Sequence, residues 1–226
     1  MDKERAKDII ASRCARELRD GYVVNLGIGI PTRCARFFPE GVDITLHAEL
    51  GLVGQGPAPT PEQADPIHLV DASGNPATVV PGGVIVDSAT NFGLIRGGHV
   101  DACVLGALEA DAEGSFGNWL IPGKKMTGMG GAMDLVNGAK TVILAMTHTQ
   151  GGNPKIVEKC TLPLTGYHVV NMIVTELAVM AVTSEGLTLT EYNPELGNQD
   201  TAVAAIQNAT GARLRISPAL KPMPLP

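Results

Sequence analysis

Aromatic residues are scarce, with one Trp, three Tyr and four Phe in 226 residues, so the core must be built from aliphatic side chains. No apolar run reaches the ~18 residues a membrane span requires, and Met1 to Asp8 carries charges of both signs, which predicts a cytoplasmic protein without a membrane partner. Runs of Lys or Arg are missing and the formal net charge is −6, which excludes recognition of a phosphate backbone by clustered cations; no nucleic-acid partner is expected. Cys14, Cys34, Cys103 and Cys160 form no C-x-x-C pair, and the histidines lack zinc spacing. The cysteines therefore read as reduced core thiols, and no metal site is predicted. Internal repeats and a domain boundary are absent too, leaving one expected domain over residues 1–226 with an extended, proline-containing tail at 213–226.

What the chain does have is 27 glycines between short apolar runs. Helical spacing predicts a first helix over residues 2–20, stopped by Gly21. Tyr22–Leu26 reads as a buried strand that turns through Gly27-Ile28-Gly29-Ile30 into a helix whose first turn holds Pro31. Ile44–His47 is a second strand, and the glycine-rich Ala48–Pro57 after it is read as too broken to continue a sheet. Residues 57–81 read as a long surface excursion with a short strand at 68–70. Further strands are expected at 84–86, 102–105, 141–145, 169–174 and 179–183, a late helix at 201–210, and an extended tail from Ser217 to Pro226. Several of these strands are apolar without alternation, as strands covered on both faces are. The order implies an α/β fold with an open, mostly parallel or mixed sheet flanked by helices, and ligands beyond the strands' carboxyl ends.

Three segments could carry chemistry. Glu49 is placed at a strand's carboxyl end between Ala48 and Leu50, with no cation nearby in sequence. The turn Gly27-Ile28-Gly29-Ile30-Pro31-Thr32 invites a dinucleotide-binding reading, but Thr32 stands where a third glycine belongs and Pro31 removes an N–H; a tight turn with close packing accounts for both glycines. Gly128-Met129-Gly130-Gly131 opens a short helix, and successive free amides there suit a phosphate or an oxyanion developing in acyl transfer. Met126, Met129 and Met133 flank it, as core filling or as a surface for an acyl chain, and Trp119 reads as a packing anchor.

Taken together, Val23–Thr32, Leu94–Asp101, Asn118–Lys124, Gly128–Val136 and Cys160–Thr165 resemble family I (3-oxoacid-type) coenzyme A transferases. The likeness is to the β subunit of acetate/butyrate–acetoacetate transferases and to the C-terminal half of succinyl-CoA:3-oxoacid enzymes, and it implies their fold, of the NagB/RpiA type. It also implies Glu49 as the carboxylate that is transiently acylated and then bonded to CoA, with Gly130 and Gly131 beside the thioester. Asn25, Gly27, Gly29, Gly51 and Met129 would form the substrate pocket. The resemblance implies no cofactor, because the CoA thioester is itself a substrate. An α subunit supplying the remaining oxyanion donors is the implied partner, as a heterodimer or an α2β2 assembly. Where the family usually has Ser-Glu-Asn-Gly this chain has Ala48-Glu49-Leu50-Gly51, which removes two hydrogen-bonding groups. A family lysine after the glutamate falls near Asn75, so no cationic contact is expected there.

Overall fold

The computed structural model describes every residue except Pro66, Ala72, Ser73, Lys124, Lys125 and Thr127; the last residue of the Asn118–Lys124 motif thus lies outside the described residues. Helix α1 (Lys3–Ala15) starts where the Asp2 carboxylate accepts from the amides of Glu4 and Arg5. It ends five residues before the expected stop, because tight turns after Ala15 fold Leu18 into the core. Strand β1 (Val23–Leu26) follows, and a 3-10 turn (Pro31–Phe37) has Pro in its first turn as expected. Next come β2 (Thr45–Ala48), β3 (Leu52–Gln55), β4 (Val79–Ile85), α2 (Ser88–Arg96) and β5 (Ala102–Leu105). Short strands β6 (Glu109–Asp111) and β7 (Phe116–Gly117) precede α3 (Ala132–Gly138) and β8 (Thr141–Ala145). The chain continues through β9 (Thr149–Gln150), β10 (Asn153–Pro154), β11 (Ile156–Val157), β12 (Met172–Val174), β13 (Ala178–Thr183) and β14 (Gly186–Tyr192). A 3-10 turn (Pro194–Leu196), α4 (Gln199–Ala209) and β15 (Arg215–Pro222) complete it.

Ten strands form one sheet in the order β15-β14-β13-β12-β8-β5-β1-β2-β3-β4. The five central strands, β12 to β2, are mutually parallel, so their carboxyl ends share one edge. Alternate side chains of these strands enter two separate cores. Ala102, Val104, Ile143 and Ala145 pack with Ile9, Ile10 and Cys14 of α1, whereas Cys103, Leu105, Val142 and Leu144 pack with Ile95, Leu135 and Ile206 of the other three helices. Burial on both faces is why these strands read as unbroken apolar runs; each fully buried Ile contributes roughly 2 to 3 kcal/mol.

One expectation about the sheet is corrected. Ala48–Pro57 does continue the sheet: β3 returns antiparallel to β2, with His47 opposite Val53 and Ala48 opposite Leu52. The glycines serve the turn and the close β3–β4 contact, since Gly51 has φ 117° and a Cβ on Gly54 would come within 2.9 Å of Gly83. The extended tail is an edge strand, Arg215–Pro222 pairing parallel with β14. Its prolines, like Pro81 in β4 at the opposite edge, sit where a missing N–H is tolerated.

His148, fully buried just past β8, bridges the hydroxyls of Thr175 and Thr210, each at 2.9 Å. Burial, and secondarily Lys155, pulls its pKa down to about 4. Between its ordinary 6.5 and about 4 the unfolded chain holds the extra proton, so stability is full above that window and falls as the pH drops through it. A shift of this size amounts to roughly 3 kcal/mol. Urea unfolding at pH 7 and at pH 4.5 is expected to show this loss, and His148→Gln is expected to flatten it.

Candidate active site

Glu49 lies in the three-residue turn between β2 and β3, half-buried, with Gly51 N–H closing the turn onto the Ala48 carbonyl at 3.0 Å. Two other elements fix its backbone and its side chain. Helix α2, capped by Asp87 at the amide of Thr90, presents the fully buried Asn91, whose amide donates to the Ala48 carbonyl (3.2 Å) and to the Glu49 carbonyl (2.5 Å). Helix α3 packs tightly on α2, so tightly that a Cβ on Gly138 would stand 2.1 Å from the Ile95 carbonyl oxygen. That approach brings the start of α3 against the glutamate.

The contact is close: a Cβ on Gly131 would lie 2.9 Å from Glu49 Cγ, and one on Gly130 would lie 3.7 Å from Glu49 Oε1. Gly131 has φ −85° and ψ 7°, a backbone any residue can adopt, so glycine is required there by space alone. The amides of Gly130 and Gly131 have no acceptor among the described residues, which leaves them available to charge developing at the carboxylate. Gly131→Ala is expected to lower kcat by about 100-fold through displacement of Glu49, with Tm moved by less than about 2 °C.

Behind the glutamate runs a buried polar relay. Asn25 of β1, 2% exposed, donates to His47 Nδ1 (3.2 Å) and to the His47 carbonyl (2.9 Å), and His47 Nε2 meets Asn91 Oδ1 at 2.9 Å. An amide donor at Nδ1 and a carbonyl acceptor at Nε2 define a neutral imidazole protonated on Nε2. Burial pushes the same way, lowering the pKa of His47 against smaller opposing effects of Asn91 and Glu49. The relay reaches Glu49 at its backbone carbonyl through Asn91 and holds the turn that carries the carboxylate.

Two cavities meet at Glu49. The larger, about 640 Å³, is lined by Asn25, Gly27, Leu105, Asn118, Met129 and Gly130 among others. The smaller, about 200 Å³, lies between the 3-10 turn and the segment after β3. The structure therefore brings Glu49, Gly130, Gly131, Asn25, Gly27 and Met129 together. Gly29 and Gly51 line neither cavity: a Cβ on Gly29 would meet nothing within 4 Å, and one on Gly51 would strike the Val86 carbonyl oxygen at 2.3 Å. Gly27 packs its backbone on β5, donating to the Val104 carbonyl at 2.8 Å, the tight-turn role weighed against dinucleotide binding. Trp119 donates from Nε1 to the Leu164 carbonyl at 3.3 Å, as a packing anchor does. Among the described residues no cluster of His, Cys, Asp and Glu could hold a metal, and no helix is long and apolar enough to cross a membrane.

Known structures share this architecture. Acyl-CoA transferase YdiF of Escherichia coli O157:H7, solved as a CoA thioester complex, superposes with a TM-score of 0.71 over 99% of this chain and 44% of its own, at 24% identity, which defines the fold as that of the acyl-CoA transferases. In sequence the chain is 54% identical to the acetate CoA-transferase subunit beta of Escherichia coli K12, over 82% of this chain and 85% of that one. It is 44% identical to the human mitochondrial succinyl-CoA:3-ketoacid coenzyme A transferase 2 over 98% of its length, spanning only 42% of that longer protein. The coenzyme A transferase family matches residues 7–200, and the chain belongs to that family as a β-type chain.

Proposed function

We propose that this chain is the β subunit of an enzyme that moves CoA between a short-chain acyl-CoA and a carboxylic acid, with Glu49 as the covalent carrier. The observation that carries the reading is the Glu49 side chain pressed against the Gly130–Gly131 backbone where two cavities meet. Among the described residues no Lys, Arg or His pairs with this carboxylate, so nothing cationic quenches it as a nucleophile.

In the proposed sequence a Glu49 carboxylate oxygen attacks the acyl-CoA carbonyl, the C–S bond breaks, and an acyl–glutamyl anhydride and CoA thiolate form. The thiolate then attacks the Glu49 carbonyl, expelling the acyl group as its carboxylate and leaving a glutamyl–CoA thioester. An acceptor carboxylate repeats the steps in reverse and leaves as the new acyl-CoA. The amides of Gly130 and Gly131, which have no acceptor among the described residues, would stabilise the oxyanion of each addition, a contribution of about 3 kcal/mol per donor in comparable sites. Both intermediates are labile to water, so the half-buried glutamate requires a cover. The beta designation of the relative supports an α-type partner as that cover.

Oxygen tracing separates transfer from hydrolysis. In H2¹⁸O the assembled enzyme is expected to yield product acid without solvent label, and ¹⁸O supplied in the acceptor carboxylate is expected to pass through Glu49 into the acid released from the donor. Solvent label in the product, with CoA freed at equal rate without acceptor, would make the enzyme a thioesterase.

A further inference from the structure

His47, 3% exposed, is an ionisable side chain buried directly behind the β2–β3 turn, and no step of the reaction written above uses it. Its proton has a fixed place. Asn25 Nδ2 gives one hydrogen to the His47 carbonyl (2.9 Å) and faces the ring at Nδ1 (3.2 Å). Asn91 Nδ2 gives its hydrogens to the carbonyls of Ala48 (3.2 Å) and Glu49 (2.5 Å) and so turns Oδ1 to Nε2 at 2.9 Å. Backbone carbonyls only accept, so neither amide can flip without setting oxygen against oxygen. The two amides therefore prescribe a ring with Nδ1 bare and the proton on Nε2.

A second proton, on Nδ1, disturbs this arrangement in two ways. It sets two N–H donors against each other at Asn25, 3.2 Å apart, with both side chains enclosed: the ring is 3% exposed and Asn25 is 2% exposed. Relief requires the ring to move toward Asn91, whose amide holds the Glu49 carbonyl, so the displacement reaches the turn that carries the carboxylate. The proton also puts a cation behind a nucleophile that otherwise has none, since the ring lies close enough to Glu49 to feel its charge. The charged groups facing the ring are Glu49 on its own turn and Asp71 across the smaller cavity; β1 and α2 present the amides Asn25 and Asn91, and β3 sets Val53 opposite it.

Resting on the CoA-transfer reading, we propose that His47 is a positioning residue: only as a neutral ring protonated on Nε2 does it hold Asn91, and through Asn91 the β2–β3 turn, so that Glu49 meets the Gly130–Gly131 amides as an unpaired carboxylate. Proton loss from His47 thus switches the nucleophile on. Burial favours the neutral ring, outweighing the Asn91 bond and the Glu49 charge, and sets its titration below the ordinary 6.5. Activity is therefore full above that value and falls as the pH drops through the lowered pKa beneath it. A glutamine in this place satisfies the same partners, with its N–H₂ toward Asn91 Oδ1 and its oxygen toward Asn25 Nδ2, yet takes up no proton.

The test uses the complete enzyme, co-expressed with its α-type partner, and follows kcat and KM for butyryl-CoA with acetate between pH 5 and pH 8. In the natural protein kcat is expected to fall by at least about 3-fold from pH 7.5 to pH 5, with KM for the acyl-CoA held within about 3-fold. His47→Leu, which removes both ring nitrogens, is expected to lower kcat by about 100-fold at pH 7.5 through misplacement of Glu49. His47→Gln is expected to restore kcat to within about 5-fold of the natural protein and to flatten the acid limb to a loss of less than about 2-fold by pH 5. His148 is unchanged in that variant, so any loss of fold over this window remains in it and only the effect on Glu49 is removed. An acid limb as steep in His47→Gln as in the natural protein, or a Gln variant as slow as the Leu variant, would overturn the assignment. Should the Gln variant not assemble, the natural enzyme decides: on warming, the limb moves to lower pH if an imidazole governs it and stays in place if a carboxylate does, and the second result would overturn the assignment. Absence of any glutamyl–CoA adduct in the natural enzyme would instead sink the CoA-transfer reading beneath it.

Discussion

Glu49→Gln is expected to abolish CoA transfer, lowering kcat by at least about 10⁴-fold, as removal of a covalent nucleophile does elsewhere. The amide matches the carboxyl group in size and can occupy the same space between Gly131 and the β2–β3 turn, so fold and assembly are expected to survive. What it cannot do is attack a thioester. Its nitrogen lone pair is delocalised and its oxygen carries no full charge, so neither the anhydride nor the glutamyl–CoA thioester forms. Glu49→Asp keeps the charge but withdraws it by one methylene from amides fixed by the start of α3, and a loss of about 100- to 1000-fold is expected from misplacement alone. Steady-state transfer between acyl-CoA and acetate by the assembled enzyme checks both variants. Activity of the Gln variant within 10-fold of the natural protein would remove Glu49 from the chemistry.

The largest stability effect is expected at Arg13. This residue of α1 is 6% exposed and makes a two-pronged contact with Glu191 of β14, which is 4% exposed, at 2.6 and 3.1 Å; Glu17 and Lys221 complete the cluster. It ties the first helix to the sheet's far antiparallel strands and to the edge strand β15. Arg13→Ala leaves the Glu191 carboxylate buried with only the more distant Lys221, and breaking such a pair from one side costs about 3 to 5 kcal/mol. For a chain of this size that is a fall in Tm of roughly 10 °C or more. Arg13→Met combined with Glu191→Leu is expected to recover much of the loss, since no unpaired charge then remains buried. Thermal unfolding of the three proteins gives the answer; a single variant as stable as the natural protein would show that the pair contributes nothing.

Those two sites also mark how far the sequence could be read. The central strands were legible because burial on both faces leaves continuous apolar runs such as Ala102–Leu105 and Thr141–Ala145, and Glu49 could be placed at a strand end because glycines follow it at once. Strand β14 escaped notice because a bulge between Leu189 and Glu191 breaks its alternation: Leu187 and Leu189 face one core, whereas Glu191 turns to the side of α1, where it is at home only through an arginine 178 positions earlier. Helix α2 was missed for a similar reason. Its first half, Ser88-Ala89-Thr90-Asn91, offers no apolar stripe, and its inward face carries Asn91, whose partners are backbone carbonyls of a turn more than forty residues away. Without α2 the relay from Asn25 through His47 to the Glu49 carbonyl could not be drawn, and of His47 only the lack of zinc spacing could be read. An asparagine four residues before the buried Ile95 was the available signal.

The local sequence Ala48-Glu49-Leu50-Gly51 shows what such distant contacts accomplish. Read alone it strips the nucleophile of neighbouring polar groups; folded, it has a backbone held by Asn91 and a side chain confined by a glycine backbone from a third element. Leu50 is 47% exposed at the turn's apex and does not enter either cavity, so the departure from the usual asparagine changes the rim of the site and leaves the glutamate's support intact.

The most direct measurement is chemical mapping of the carrier. The assembled enzyme, incubated with acyl-CoA in the absence of acceptor and then reduced with borohydride, is expected to lose activity and to carry, in the peptide spanning the β2–β3 turn, the alcohol formed by reducing an acylated residue 49. Prior addition of acceptor acid is expected to discharge the adduct and protect the enzyme. An unmodified turn peptide in fully inactivated enzyme, or reduction at any other carboxylate, would contradict the account.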